Sequence, residues 1–214
     1  MYRVVVPVTT PTTQPDPGAL GTRGAQRLAT RARLFDAAVA EIARSGLAGT
    51  DVAAIAATAG VARGTFYFHF PTKEHVLVEL ERAEERKIVA TLDTGTGEPA
   101  DLTSMLTLLV HQVVAAELRL GSVVFRDMLG LHFSATRPIE DELAEHPLAD
   151  FVIAAIARAQ SAGQVAEDAD AGELAVIFLT GLFALLATGA VASADRNALL
   201  DRYVTTIVQG MEKR

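Results

Sequence analysis

The sequence predicts an all-α fold: an N-terminal three-helix helix-turn-helix unit followed by a larger helical domain, about nine helices in total. Three observations support this. Apolar residues recur three or four positions apart from Arg27 almost to the end of the chain. Glycine, proline and serine interrupt these runs at helical lengths, and no stretch shows the alternation of a half-buried strand. Half of the 214 residues are hydrophobic, which is enough to bury a real core.

Residues 1–22 carry Pro7, Pro11, Pro15 and Pro17 among threonines and glycines, and are expected to be a disordered N-terminal extension. A secretory signal is the rival reading, but Val4–Val8 is short, is broken by Pro7 and is not followed by a small-residue cleavage site. The first helix places Leu34, Ala38 and Ile42 on one face with Phe35 and Val39 beside them, and Gly46 ends it. Asp51 can cap a short second helix that turns Val52, Ile55 and Ala56 inward and stops at Gly60. A third begins near Ala62 and ends by Pro71, after which Thr72 caps a long fourth helix to about Leu92. Thr94–Pro99 is expected to be a loop. Leu102–Leu120, Val123–Phe133, Ile139–Gln160, Leu174–Ala192 and Ala198–Met211 follow as helical runs. The predicted domains are therefore 23–73, the helix-turn-helix, and 74–214, the helical body.

Leu174–Ala194 is uncharged over 21 residues, long enough to span a bilayer. Its flanks, Asp170 and Glu173 before it and Asp195 and Arg196 after it, lack a Lys/Arg excess and aromatic anchors. It is read instead as a helix buried at a subunit interface, with no membrane partner.

The net charge of −7 argues against a nucleic-acid binder until it is divided along the chain. Residues 23–73 hold seven basic side chains against three acidic ones, whereas 74–214 hold 11 against 22. A basic module on an acidic body points to a polyanion at the first part only. The absence of cysteine removes disulfides, thiolate nucleophiles and zinc–thiolate sites, and fits a cytoplasmic location.

Function concentrates in residues 46–73. Gly60 can take a left-handed backbone at the turn, and Val61 can plug the gap between the second and third helices. Phe66 and Phe70, four apart, would face inward, which leaves Arg63, Thr65, Tyr67 and His69 for a groove. The segment also carries Ile55-Ala56, Ala59-Gly60-Val61, Gly64-Thr65, the aromatic run Phe66-Tyr67-Phe68-His69-Phe70 and Thr72-Lys73. This pattern closely resembles the signature of the TetR family of transcriptional regulators. The resemblance implies double-stranded operator DNA as partner, with Arg63, Thr65 and Tyr67 reading bases and His69 and Lys73 meeting phosphate. Arg27 and Arg31, with Arg23 and Arg33, make a backbone-contacting arm or a solvated helix face. The chain departs from the family pattern at Ala62 and Asp51, where family members usually carry hydroxyl residues; Asp51 can cap a helix but repels phosphate.

The resemblance is specific over residues ~27–75 and architectural beyond them. It implies a homodimer formed through the last two long helices, with small Gly181 and Gly189 allowing close approach. It also implies an apolar or amphipathic small-molecule effector that releases a repressor from a palindromic operator. Met105, Leu109, Gln112, Phe125, Met128, His132 and Phe151 are the expected effector lining, with plain core as the rival reading. A TetR-like activator, or an interaction protein that reads no DNA, is the alternative. No enzyme is expected: HExxH, phosphate-loop and nucleophile-elbow patterns are absent, and no cofactor is called for. Glu142 and His146, with Asp141 or Glu145, have metal-compatible spacing but read as helix surface, so no metal site is assigned. His111 and His132, in apolar runs, read as hydrogen-bonded histidines of core or pocket.

Overall fold

The computed structural model describes residues 17–94, 101–138, 146–188 and 195–212. Within these residues the chain forms nine α-helices and no named strand. They are α1 (Pro17–Gly49), α2 (Val52–Thr58), α3 (Arg63–His69), α4 (Lys73–Asp93), α5 (Leu102–Leu120), α6 (Ser122–Gly130), α7 (Pro147–Ser161), α8 (Ala171–Ala187) and α9 (Arg196–Met211). A single 3-10 turn, Leu131–Phe133, follows α6.

Helix boundaries follow local chemistry. Gly46 adopts φ +70° and breaks α1 near its end, where a last turn continues to Gly49. The Asp51 carboxylate accepts from Ala53 N at 2.8 Å and caps α2. At the start of α4 the Thr72 N–H donates to His75 Nδ1 at 3.2 Å. Asp101 caps α5 through Ser104 N, and Asp170 caps α8 through Gly172 N and Glu173 N.

Three expectations change. Helix α1 starts at Pro17, so residues 17–22 are helical where an irregular arm was expected; proline tolerates the first helical position because its missing N–H has no partner to lose there. Residues 1–16 of that arm lie outside the described residues. Helix α7 starts at Pro147 for the same reason, and 139–145, expected to be helical, lie outside the description, as do Asp141, Glu142 and Glu145. Helix α8 ends at Ala187, while Gly189 and the end of the uncharged run fall outside. No helix of the described residues is long and apolar enough to cross a membrane.

One continuous hydrophobic core joins the helix-turn-helix to the helical body. Leu34, Ala38 and Ile42 of α1 meet Ile55, Phe66 and Phe70, and this cluster runs through Val76 and Leu77 of α4 into Leu106, Phe125, Ile156, Phe178 and Val204. Phe66 and Phe70 are completely enclosed, with ring centroids 5.6 Å apart. Removing either ring costs about 3–5 kcal/mol by the usual large-to-small rule.

Candidate nucleic-acid interface and body cavity

The turn between α2 and α3 is closed by backbone bonds. Gly60 takes φ +68°, its N–H donates to Ala57 O at 3.1 Å, and Val61 N donates to Ala56 O at 3.0 Å. This paired closure needs a left-handed residue and fixes the angle between the helices. With Phe66 inward, α3 exposes Arg63, Tyr67 (45% accessible) and Phe68 (71%), while Thr65 and His69 are half-buried. Arg63 and Tyr67 lie on one stripe, the guanidinium 5.9 Å from the ring centroid. Both carry hydrogen-bond donors on a solvent-facing surface.

The remaining expected cations divide. Arg27 is exposed and stands 5.6 Å over the Phe68 ring. Arg31, expected to reach DNA, is half-buried and engaged by the protein itself: both its terminal nitrogens donate to the Glu79 carboxylate, and it lies 4.5 Å over the Phe70 ring. Lys73, likewise expected at phosphate, donates to Ala48 O (3.1 Å) and Thr50 O (3.4 Å), satisfying carbonyls at the end of α1. In both cases the partner lies far off in sequence, and spacing alone hides it. Burial, then the charges of Arg27 and Arg31, hold the His69 imidazole below its ordinary pKa. Sequence reasoning missed Phe68, although its place two residues from both Phe66 and Phe70 already puts it off the buried stripe.

In the body, α4 turns Glu81, Glu84 and Glu85 inward, and all three are buried. They border a void of about 20 Å³, room for one water, whose other walls include Val113 and Ala116 of α5, Phe125 and Met128 of α6, and Phe183 of α8. Burial opposes ionisation of Glu81, but His132 and Arg137 together hold it below the usual carboxylate range. Glu84 behaves likewise between Lys87 (2.6 Å) and Arg119 (2.9 Å). Glu85 accepts from Leu148 N at 3.4 Å and raises the His146 pKa.

Of the seven residues expected to line an effector pocket, Phe125 and Met128 face this void. His132 sits beside it, bound to Glu81, with its ring 4.7 Å from Phe183. Leu109 is fully enclosed core, Met105 and Phe151 pack against the core, and Gln112 is half-buried; none of these four borders the void. On α5 the reason is axial: Met105 and Leu109 share the stripe of Val113 and Ala116 but stand one to two turns earlier along the helix than the void. His111 is half-exposed near Asp201, at 3.7 Å, rather than buried. Among the described residues no group of three or more metal-ligating side chains converges.

Among the described residues, α4 and α6 both connect the helix-turn-helix to the body. Helix α4 runs from the end of α3 past the void. Asp127 of α6 accepts from Leu47 N at 2.6 Å, tying the end of α1 to the helix that carries Phe125 and Met128.

A rigid two-helix turn with an outward stripe of donors, mounted on an all-helical body, is the architecture of helix-turn-helix proteins. Comparison with known proteins agrees: residues 34–80 match the family described as bacterial regulatory proteins, tetR family. The fatty acid metabolism regulator protein of Bacillus subtilis (strain 168) is 33% identical over 80 residues, which cover 37% of this chain and 41% of that protein. The chain thus matches about two-fifths of the length of that curated relative. The fold is also that of Thermus thermophilus FadR, described as a TetR family transcriptional repressor in complex with lauroyl-CoA, with TM-score 0.67, 20% identity, and 86% of this chain and 96% of that one covered. A tetR family transcription regulator structure from Shewanella sp. PV-4 aligns with TM-score 0.63 and 19% identity over 86% of this chain and 99% of that one. Residues 34–80 thus resemble the tetR family, and the described residues share the fold of these solved structures.

Proposed function

We propose that the protein is a cytoplasmic, homodimeric transcriptional repressor whose α3 helices enter successive major grooves of a palindromic operator and whose body takes a small amphipathic effector that releases it. The observation that carries the reading is the outward stripe of Arg63 and Tyr67 on a helix fixed by the Gly60 turn. Arg63 reads a base edge, Thr65 and Tyr67 supply hydroxyls, and Arg27 and His69 meet the flanking backbone. Arg31 and Lys73 brace the reader from within.

Dimerisation through α8 and α9 is supported by the outer face of α8, where Val176 (65% accessible) and Ile177 (55%) stand exposed beside Thr180. Two copies would cover that apolar stripe. An acyl-type effector is supported by the lauroyl-CoA complex of the Thermus protein and by the apolar walls at Phe125, Met128 and Phe183. A void of about 20 Å³ admits no such ligand without displacing α6. Displacement of α6 pulls on Leu47 through Asp127, and the effector thereby favours the reader spacing that no longer fits the half-sites.

Selection of bound duplexes from a random pool tests the reading. An enriched palindrome is expected, and Arg63→Ala or Tyr67→Phe should weaken binding to it by ~1–3 kcal/mol per lost contact. No enrichment, or affinity untouched by both substitutions, would favour an interaction protein that reads no DNA.

A further inference from the structure

The side chain that stands furthest out on α3 is Phe68. A helix turns about 100° per residue, so Gly64 and Phe68 each lie about 160° from the enclosed Phe66 and together form the outermost stripe. Arg63 and Tyr67 run along one side of it and Thr65 along the other. Phe68 is the most accessible phenylalanine or tyrosine among the described residues. The Arg27 guanidinium of α1 stands over its ring, and the His69 ring meets it edge-on with centroids 5.1 Å apart. These neighbours orient the ring and leave most of it open.

Gly64 stands one turn before Phe68 on the same stripe. A Cβ there would meet nothing within 4 Å among the described residues, and Gly64 is not one of the glycines with a left-handed backbone. Neither internal packing nor backbone conformation therefore calls for glycine, and glycine weakens a seven-residue helix relative to alanine. A bare backbone at that point suits an outside surface that comes close to the helix.

We propose that Phe68 reads thymine: its ring packs on the 5-methyl group of a thymine in the operator major groove, and Gly64 lets the edge of a neighbouring base pair come up against the α3 backbone. This role depends on α3 reading DNA as proposed above. Chemistry selects the base. A phenyl ring offers no donor or acceptor, so a guanine, cytosine or adenine edge pressed against it would lose its hydrogen bonds to water without replacement, whereas the thymine methyl is the apolar group displayed in that groove. Charge selects DNA over an apolar protein partner. Helix α3 carries no acidic residue, and Arg27 and Arg63 stand exposed beside the stripe, placed for the phosphates and base edges around the methyl contact.

The test uses the full-length protein and the duplex enriched from the random pool. Deoxyuridine replaces each thymine in turn, in both half-sites, which removes the 5-methyl group and nothing else. One thymine per half-site should respond, with affinity falling about fourfold for each methyl withdrawn from contact. Phe68→Ala should bind the thymine duplex roughly fourfold or more weakly and should no longer distinguish it from the deoxyuridine duplex. Because the ring is exposed, its loss should leave the melting temperature unchanged. Gly64→Ala should melt at the same temperature or higher, yet lose about fivefold or more in operator affinity, since its methyl meets DNA and not protein. Arg63→Ala should bind more weakly and keep the deoxyuridine response. Tolerance of deoxyuridine at every position, a response that survives in Phe68→Ala, or undiminished affinity of Gly64→Ala would overturn the assignment while leaving DNA reading intact. A pool with no enriched duplex would instead remove DNA reading itself, and the role of Phe68 with it.

Discussion

Gly181→Ala is a small substitution with a large expected cost. A Cβ at Gly181 would stand 2.4 Å from Tyr203 Oη, 3.0 Å from Cζ and 3.1 Å from Cε2. The tyrosine has little freedom to move aside: its hydroxyl donates to Phe178 O at 2.5 Å, and its ring stacks on Phe178 with centroids 5.7 Å apart. Burial pushes that hydroxyl up to about 12, so it remains a donor across the working pH range. Overpacking of this kind costs about 1–3 kcal/mol, and displacing the phenol forfeits a hydrogen bond of about 1 kcal/mol. Alanine in place of glycine returns roughly 1 kcal/mol of helix propensity. The net expectation is a loss of about 1–3 kcal/mol. Urea denaturation at several protein concentrations measures it and separates subunit stability from dimer formation. In Tyr203→Phe, which lacks Oη, the same Gly181→Ala change should cost less, a coupling visible in a double-mutant cycle. A neutral or stabilised Gly181→Ala protein, the result helix propensity alone would give, would refute the reasoning.

Asp127→Ala should leave operator affinity within a few-fold while reducing release by effector, because it cuts the bond to Leu47 N and leaves α3 unchanged; effector titrations of the DNA complex check this, and undiminished release would sink the α6 route. Gly60→Ala should destabilise the reader by about 1 kcal/mol or more, since φ +68° is strained for alanine, read as a lower melting temperature with weakened DNA binding. Stability should also fall on both sides of a mildly acidic optimum. Glu81 and Glu84 have lowered pKa values, so their contribution is present above about 4.5 and lost as pH falls through the folded values. His146 has a raised value, so its contribution is present below 6.5 and lost as pH rises through the folded one. Melting temperature against pH measures this, and Glu85→Gln should flatten the alkaline side; an alkaline slope unchanged by that substitution would exclude the His146–Glu85 contact as its source.

The reader was legible because its signals are local. The three-to-four spacing of Leu34, Ala38 and Ile42, the Gly60 turn and the Phe66–Phe70 pair each act within a few residues, and the structure places all of them as the sequence reading did. The fates of Arg31 and Lys73 were not legible, because Glu79 lies 48 positions from Arg31 and Ala48 lies 25 from Lys73. Apolar composition singled out Phe125 and Met128, which face the void, but could not say where along α5 the void lies, so Met105 and Gln112, singled out with them, do not border it. The glutamates of α4 carried the opposite difficulty. Nothing in the sequence singles out Glu81, Glu84 and Glu85, yet all three are buried, and cations from α5, from the segment after α6 and from α4 itself meet Glu81 and Glu84.

Those buried acids bear on how the body is switched. Each lies on α4, the helix that begins at Lys73 beside the helix-turn-helix. One face of α4 is held by carboxylates to α5, to the 3-10 turn after α6 and to the start of α7. Under the proposed release mechanism, a ligand that moves α6 strains the Glu81 contacts to His132 and Arg137 beside Met128. Operator and effector would then act on one helix, and the affinity of either would depend on the α4 position the other prefers. Such coupling is reciprocal. If operator DNA alters effector affinity by some factor, effector must alter operator affinity by the same factor, and independent binding of the two would show that α4 does not transmit between them.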